Sequence, residues 1–189
     1  MTGHGPNTAD PASLAEELAR FRVIDPARLA AARAEFTGES ATAFAEHLVA
    51  AGALNAFQAT EALAGHSRRL VIGPYRLTQR LGTGNFGPVF ATTDASGTKS
   101  FAIRLFPLRS LWQVRVAKRL VRSLATLPTH PVVVPLMDVD TANGLHYLVW
   151  PSVEGESLAE RVKRSGPLSP VQTVKMLRQI AEGLAVCHR

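Results

Sequence analysis

Apolar positions in the first third of the chain recur every three or four residues, which is the period of an amphipathic helix. Residues 1–66 also contain 19 alanines, the residue with the highest helix propensity. The pattern predicts a small domain of four helices at residues 11–66, between a flexible N-terminus at residues 1–10 and a linker at residues 67–73. The predicted helices begin at Asp10-Pro11, with Ser13 and Glu16 as an alternative capping box, at Asp25-Pro26, at Ser40 (ending near Ala51) and at Asn55 (ending near Ala64).

Beyond Gly73 the pattern changes to an alternation of apolar and polar residues, which is typical of half-buried strands. Turns are predicted at Asp94–Gly97 and at Asn143-Gly144. These signals predict an α+β fold with a five-stranded antiparallel sheet, one inserted helix and two later helices. The predicted strands are Tyr75–Leu81, Val89–Thr93, Ser100–Phe106, Val133–Val139 and Leu145–Trp150, and the helices are Ser110–Leu127, Ser157–Arg164 and Ser169 onward.

Composition excludes several classes of protein. The 189 residues are 46% hydrophobic and 19% charged, so the chain can bury a core and is not wholly disordered. A single cysteine, Cys187, excludes a disulfide framework, and the histidines show no pairing at metal-ligand spacing. The chain shows no secretory signal, and no apolar run approaches the ~20 residues that span a bilayer. We therefore expect a cytoplasmic protein without a membrane segment.

The main chemical signal is the segment Leu81-Gly-Thr-Gly-Asn-Phe-Gly-Pro-Val89, with glycines at G-x-G-x-x-G spacing. In a dinucleotide-binding turn the last glycine opens a helix, and an acid follows about 20 residues later. Here Gly87 leads into a predicted strand, and the residue near the expected position of the acid is Arg104. Both observations exclude a dinucleotide-binding turn. The motif alone leaves two interpretations open: a hairpin whose backbone N–H groups approach nucleotide phosphates, and an ordinary glycine-rich hairpin.

Three further segments narrow the choice, because they follow the glycine loop in a familiar order. Phe101-Ala-Ile-Arg104 resembles the third-strand Val-Ala-Ile-Lys of protein kinases, Thr129–Pro135 is similar to their His-Pro-Asn-Ile-Val, and Tyr147–Leu158 to their hinge. Residues 73–189 thus resemble the first part of a bacterial serine/threonine protein kinase. The resemblance implies a kinase N-lobe at residues 74–151, and the hinge and first C-lobe helices at residues 152–189. The helical segment before them is similar to leaders of such kinases.

The resemblance also implies an ATP site. The glycine loop would cover the phosphates, three apolar side chains would sandwich the adenine, and the Pro151 carbonyl and Val153 amide would bind the adenine edge. The apolar side chains are those of Leu81, Val89 and Ala102. The complete implied set is Leu81, Gly82, Thr83, Gly84, Asn85, Phe86, Gly87, Val89, Ala102, Arg104, Trp150, Pro151 and Val153.

Arg104 and Trp150 are the two largest polar or aromatic side chains of β-strands in this set. Strand alternation puts Ala102 and Arg104 on one face, so that a small apolar surface and a cation can meet the same ligand. Trp150 stands at the family's gatekeeper position, where so large a side chain would close the pocket behind the adenine. Plain core packing is the equally open alternative for Trp150.

The sequence departs from an active kinase at the third-strand cation. Active kinases pair a lysine there with a glutamate from the following helix. Arg104 stands at the lysine position, and its planar fork does not replace a compact ammonium. No acidic residue occurs between Asp94 and Asp138, and the positions corresponding to the glutamate are Leu120 or Val121. The family's ion pair cannot form in its usual way.

By the resemblance, the family's catalytic loop and Asp-Phe-Gly segment lie beyond His188-Arg189. We therefore expect these 189 residues alone to be catalytically incompetent, with no catalytic residue and no metal ligand of their own. ATP is the expected cofactor, and Mg²⁺ is expected only where a C-lobe is supplied. A truncated kinase and a non-catalytic, pseudokinase-like binding or scaffold module are the two leading hypotheses.

A third hypothesis, a basic nucleic-acid binder, rests on charge alone. Residues 1–70 carry six arginines and eight acids, a net of −2, whereas residues 71–189 carry fifteen basic residues and seven acids, a net of +8. Part of the excess lies on the predicted helix, where it forms the polar side of an amphipathic pattern and favours a solvated face over a nucleic-acid surface. The cations of this helix are Arg115, Lys118, Arg119 and Arg122.

The last helix carries an apolar face that needs a cover. If nothing packs against it, this face remains exposed to solvent or packs against another chain. We therefore expect poor solubility or self-association of the isolated chain. Protein partners are expected either through residues 11–66 or through this last helix. The apolar face consists of Val171, Val174, Leu177, Ile180 and Leu184.

Overall fold

The computed structural model describes residues 10–84, 87–107, 119 and 130–188. The chain divides into two compact units, Met1–Ser100 and Phe101–Arg189. The first unit contains the helical domain and three strands. In its described residues the second contains three strands and the two helices at its end, so the predicted α+β fold class is confirmed.

Four helices form where the sequence predicts them: α1 (Pro11–Arg20), α2 (Pro26–Glu35), α3 (Ala41–Ala50) and α4 (Ala56–Leu63). Their N-caps are side chains that accept hydrogen bonds from the backbone of the first turn. At α1 the cap is Asp10, whose Oδ1 accepts from the amides of Ala12 and Ser13 at 2.9 Å each. Asp10 therefore caps α1 in place of the alternative Ser13 and Glu16 box.

The helical domain has a hydrophobic core of its own. Leu14, Leu18, Phe44 and Leu48 are wholly buried at its centre. Burial of several such side chains, at roughly 1.5–3 kcal/mol each, gives a bundle of short helices the stability that isolated helices of this length lack.

Two elements follow that the sequence did not reveal. Ser67–Leu70 form a 3-10 helix and Val71–Ile72 form strand β1, inside the stretch predicted as a linker. Leu70 belongs to the core of the helical domain, and both Leu70 and Ile72 are 1% exposed. Elements of two to four residues are too short to display a period, so periodicity could not predict them.

The remaining strands of the first unit are β2 (Tyr75–Gly84) and β3 (Gly87–Thr93), and β1, β2 and β3 pair antiparallel in that order. The register slips between Leu77 and Gln79 and again between Arg80 and Gly82. Each slip is a β-bulge with one extra residue on β2. The predicted simple alternation along β2 is therefore wrong, because each bulge changes the face on which the following side chains lie.

The second unit contains strands β4 (Ser100–Pro107), β5 (Asp138–Ala142) and β6 (Leu145–Pro151), with β6 between β4 and β5. The predicted hairpin between β5 and β6 is confirmed. Asn143 has φ 52° and Gly144 φ 76°, and positive φ at both central residues is what a type I′ turn needs.

The fourth predicted strand, Val133–Val139, is wrong in its extent, because the strand begins at Asp138. Two prolines, Pro131 and Pro135, lie in or beside the apolar run that suggested the strand. Proline has no N–H to donate to a sheet, so the apolar run cannot pair along its length. The helix predicted at Ser110–Leu127 lies outside the described residues, apart from Arg119, which is helical and exposed.

Two helices end the described chain: α5 (Leu158–Ser165) and α6 (Pro170–Cys187). Both start with a reciprocal capping box, formed by Ser157 with Glu160 and by Ser169 with Gln172. The box satisfies two backbone donors at each helix start. Among the described residues, no helix is both long and apolar enough to cross a membrane.

Candidate functional site

The glycine-rich segment closes the hairpin between β2 and β3. Gly84 and Gly87 are the last paired residues, and Asn85 and Phe86 lie outside the described residues. After Gly87 the chain continues as β3 and not as a helix. This is the arrangement that the phosphate-covering hairpin requires and that a dinucleotide-binding turn does not have.

The glycines of the hairpin have different structural roles. Gly87 has φ 108°, a conformation that side-chain-bearing residues rarely adopt. Gly82 has no such requirement, and a Cβ atom built on it would meet nothing within 4 Å. Open space over the Gly82 backbone leaves room for a ligand group to approach the peptide. Beside it, Arg80 donates a hydrogen bond from Nη2 to Thr83 Oγ1 at 2.6 Å.

The register assigns the apolar hairpin residues to faces. Gly82 pairs with Val89, while Arg80 pairs with Phe90, and paired residues of antiparallel strands lie on one face. Val89 therefore lies on the opposite face of the hairpin from Phe90. Leu81 is the extra residue of the second bulge and is 55% exposed, so its apolar surface is available to a ligand.

The second group of predicted site residues lies on the β4–β6 pair. Ala102 pairs with Trp150 and Arg104 with Leu148, so Ala102, Arg104 and Trp150 lie on one face. Ile103, on the opposite face, is wholly buried. The predicted alternation of β4 is confirmed, and a small apolar residue and a cation share the face opposite Ile103.

Arg104 is partnered by an aromatic ring. Its guanidinium carbon lies 5.9 Å from the centre of the Trp150 ring, within the range of a cation–π interaction. Its Nε atom is buried without a hydrogen-bond partner. Among the described residues no carboxylate forms an ion pair with it.

Trp150 has the core packing that the sequence left open, while its gatekeeper role stays a prediction. It packs partly buried against a small core of Val139 and Leu148, and it also lies beneath the Arg104 guanidinium. Pro151 ends β6 opposite Phe101, and Val153 follows in the connection to α5 with 66% exposure. In the segment that resembles a kinase hinge, Val153 is thus exposed.

The described residues do not fit a metal site. Within the ranges that the structure describes, no three His, Cys, Asp or Glu side chains come together as metal ligands.

Two features of the site were missed by the sequence. The contact between Arg104 and Trp150 joins residues 46 positions apart. It could have been predicted only if the pairing register of β4 and β6 had been known, because the register puts this arginine and this aromatic residue on one face. The support of β2 by the helical domain was also missed. Asn55 and Gln58 donate hydrogen bonds to backbone carbonyls of β2, although in sequence they indicate only a helix start.

Comparison with known protein families yields one match that covers most of the chain. The family model for the protein kinase domain matches residues 75–189, which begins at the first residue of β2. The helical domain lies before the matched region. The matched region includes the glycine-rich hairpin, Arg104 and Trp150.

Curated relatives carry the same family. A CBL-interacting serine/threonine-protein kinase 17 from Arabidopsis thaliana is 32% identical over 119 residues, covering 62% of this chain and 28% of the relative. Serine/threonine-protein kinase PknD from Mycobacterium tuberculosis is 31% identical over 118 residues, covering 61% of this chain and 18% of the relative. The chain therefore spans less than a third of the length of these relatives.

Solved structures show a similar fold. The kinase domain of Mycobacterium tuberculosis PknI superposes with a TM-score of 0.51 at 16% identity, covering 62% of this chain and 48% of that domain. At this identity the likeness concerns the fold alone. It confirms the predicted fold, an N-lobe with an antiparallel sheet and the start of a helical C-lobe.

Proposed function

The chain belongs to the serine/threonine protein kinase family, and on that premise we propose that it binds ATP through its glycine-rich hairpin without transferring phosphate by the family's route. The hairpin would cover the phosphates, with the Gly82 backbone exposed to them. Leu81, Val89 and Ala102 would contact the adenine, and Arg104 would supply the cation. Kinase-family membership supports the nucleotide, and the chemistry of Arg104 supports the loss of transfer.

The interaction of Arg104 with Trp150 is the observation that carries this proposal. In an active kinase the third-strand lysine and a helix glutamate must both be in place. Here a guanidinium lies over an indole ring 5.9 Å away, and no acid exists in the sequence between Asp94 and Asp138. A cation–π contact keeps the positive charge and its place on β4, so phosphate binding is retained. It does not reproduce the hydrogen-bonded geometry that positions a lysine for transfer.

Thermal shift of the 189-residue chain tests the proposal. We expect 1 mM ATP to raise the melting temperature both with and without Mg²⁺, because the described residues provide cations and backbone N–H groups but no metal site. Arg104→Met should reduce the shift, and Gln179→Met, an apolar substitution on the exposed surface of α6, should not. Absence of a shift by millimolar ATP in the unsubstituted chain would overturn nucleotide binding.

A non-catalytic binding role through the helical domain is the second candidate function. The observation that favours it is the core of that domain, in which Leu14, Phe44 and Leu48 are wholly buried. A domain with its own core can present a surface to a protein partner. The chain can be cross-linked to its partners in a cell lysate. A variant that lacks residues 10–72 should then form fewer cross-linked adducts with other proteins, whereas the Arg104→Met variant should form the same adducts as the unsubstituted chain.

A further inference from the structure

Helix α4 is joined to the glycine-rich hairpin by two side-chain amides. Asn55 Nδ2 donates a hydrogen bond to the Thr78 carbonyl at 2.8 Å, and Gln58 Nε2 donates to the Leu77 carbonyl at 2.9 Å. Both acceptors lie in β2, the first strand of the hairpin. We call this set of two hydrogen bonds the amide latch.

The same two residues cap α4. Asn55 Oδ1 accepts from the Gln58 amide at 2.9 Å, and Gln58 Oε1 accepts from the Asn55 amide at 3.0 Å. Each side-chain amide is therefore fixed at both ends, with its oxygen on the helix and its nitrogen on the strand. Rotating either amide by 180° would break both of its hydrogen bonds, so the orientation follows from the network itself.

The latch lies at the first bulge of β2. The ladder with β3 runs from the Leu77–Thr92 pair to the Gln79–Ala91 pair and skips Thr78. A bulge disturbs the regular ladder, and backbone carbonyls beside it need other partners. The amides of α4 are these partners. Gln58 is 7% exposed, so its contact is shielded from water, which would otherwise compete for the carbonyl.

Aromatic packing supports the same contact. The Phe57 ring of α4 lies 6.3 Å from the Phe90 ring of β3. Phe90 is on the opposite face of the hairpin from Val89, as the register shows. The helical domain therefore contacts the hairpin on the Phe90 face. A second connection comes from Arg76, whose Nε donates to the Arg22 carbonyl at 3.2 Å.

We infer that Asn55 and Gln58 are positioning residues of the glycine-rich hairpin, through which the helical domain sets the affinity for nucleotide. The affinity part of this inference rests on the proposed function. With the latch in place, β2 has a fixed bulge, and Gly82 to Gly84 follow from it in one register. When the latch is lost, the bulge can move along β2, and a one-residue shift puts every later side chain on the other face.

The coupling works in both directions. If the helical domain raises nucleotide affinity by a given factor, bound nucleotide stabilises the latch by the same factor. A ligand or partner that pulls α4 away from β2 would therefore lower nucleotide affinity. The helical domain is then a controlling element of the hairpin and not merely a neighbour in the sequence.

The test separates the latch from helix capping. Asn55→Asp with Gln58→Glu keeps every oxygen that caps α4 but removes both N–H donors to β2. Gln172→Glu is the matched control, because Gln172 occupies the same capping-box position at the start of α6 and is exposed there. Asn55→Ser is a milder variant, which keeps the cap but is too short to reach Thr78.

Two measurements on the 189-residue chain decide the outcome. We expect backbone hydrogen exchange at Arg80–Thr83 and Val89–Ala91 to become at least about fivefold faster in the latch variants, with the helical circular dichroism retained. We also expect the dissociation constant for a ribose-labelled fluorescent ATP analogue to rise about 5- to 10-fold. Neither quantity should change with Gln172→Glu.

Each result has a definite meaning. If the latch variants show the same hydrogen exchange and the same affinity as the Gln172→Glu control, the proposed role of the latch is refuted. If the unsubstituted chain fails to bind the analogue, the proposed function fails while the exchange measurement still decides whether the latch fixes the hairpin. If the double variant does not fold, Asn55→Ser gives the decision, since faster exchange supports the latch and unchanged exchange refutes it.

Discussion

The positive charge of Arg104 is held by an aromatic ring, and the strength of this contact can be measured. Arg104 and Trp150 lie on one face of paired strands, 5.9 Å apart, and cation–π pairs at partly exposed sites contribute about 0.5–1 kcal/mol. We expect a double-mutant cycle of Arg104→Met and Trp150→Leu to give a coupling free energy of about 0.5–1 kcal/mol in urea unfolding. Strictly additive single effects would show that the two side chains are only neighbours.

The glycines of the hairpin should respond differently to a methyl group. Gly87 has φ 108°, and Gly87→Ala should lower the free energy of unfolding by about 1–3 kcal/mol because of backbone strain. Gly82 has open space around its Cα, so Gly82→Ala should change stability by less than about 0.5 kcal/mol. It should nevertheless weaken ATP binding, because the methyl group occupies the space over the peptide. Equal stability losses in urea melts of the two variants would contradict this assignment.

At the scale of elements, α6 is packed closely at one glycine. A Cβ atom on Gly183 would lie 2.8 Å from Val132 Cγ2 and 3.0 Å from Val133 Cγ2. Valine side chains have few alternative rotamers, so they cannot easily rotate away from an added methyl group. We expect Gly183→Ala to be destabilising by about 1 kcal/mol net, since overpacking at about 1–3 kcal/mol exceeds the gain of about 1 kcal/mol in helix propensity.

The sign of this effect should reverse when the obstacle is removed. In a background that carries both Val132→Ala and Val133→Ala, the 2.8 Å and 3.0 Å contacts no longer exist, so adding the methyl group at Gly183 should stabilise the helix instead. Urea unfolding of the four proteins in this cycle measures the change. A loss of stability of the same size in both backgrounds would mean that the two valine side chains do not limit the approach to α6.

The start of α5 should be sensitive to pH. The backbone N–H of Ser157, and then its side chain, donate to Glu160 and hold the pKa of that carboxyl below its usual 4.5. A pKa that is lower in the folded state means that the carboxylate stabilises the helix above the unfolded-state pKa. This contribution is lost as pH falls through the folded-state value. We therefore expect α5 to fray on acidification below about pH 4.5.

NMR can follow this transition at the capping box itself. The side-chain carbon of Glu160 and the amide of Ser157 should titrate together, with a midpoint below that of an unstructured peptide. Glu160→Gln keeps an acceptor at the same place and should remove the pH dependence of the Ser157 amide. A Ser157 amide that still shifts between pH 5 and 3 in this variant would point to another titrating group.

At the scale of the whole chain, local signals predicted the elements better than the contacts between them. Asp10, Asp25, Ser40 and Asn55 mark helix starts because capping is a property of neighbouring residues. The Asn143-Gly144 turn is local for the same reason. Kinase kinship followed from the order of several short segments, none of which would have been specific alone.

What the sequence could not reveal depends on residues far apart in the chain. The bulges of β2 depend on its pairing with β3, and the amides of α4 contact the first of them, so alternation along β2 gave no sign of them. In the same way, the contact of Arg104 with Trp150 requires the register of β4 on β6. The sequence showed that Arg104 lacks an acidic partner, but not that an aromatic ring takes its place.

An apolar stripe on α6 should determine how the chain behaves in solution. The stripe consists of Val171, Val174, Leu177, Ile180 and Leu184. Five side chains along one face are exposed, from 45% at Ile180 to 66% at Val174. A few hundred Å² of apolar surface at ~25 cal/mol per Å² corresponds to several kcal/mol, comparable to the stability of a small domain. Burial of this stripe between molecules is therefore favourable, and the 189-residue chain should self-associate at micromolar concentrations.

A matched pair of substitutions on α6 isolates the stripe from a general effect of charge. Leu177→Lys places a cation within the stripe, whereas Gln179→Lys adds the same charge on the opposite side of the helix. Light scattering should show a smaller mean mass for Leu177→Lys and no change for Gln179→Lys. A monodisperse monomer of the unsubstituted chain would refute the prediction, and an equal response to both substitutions would assign the association to charge. Only a response confined to Leu177 identifies the stripe as the surface that drives association.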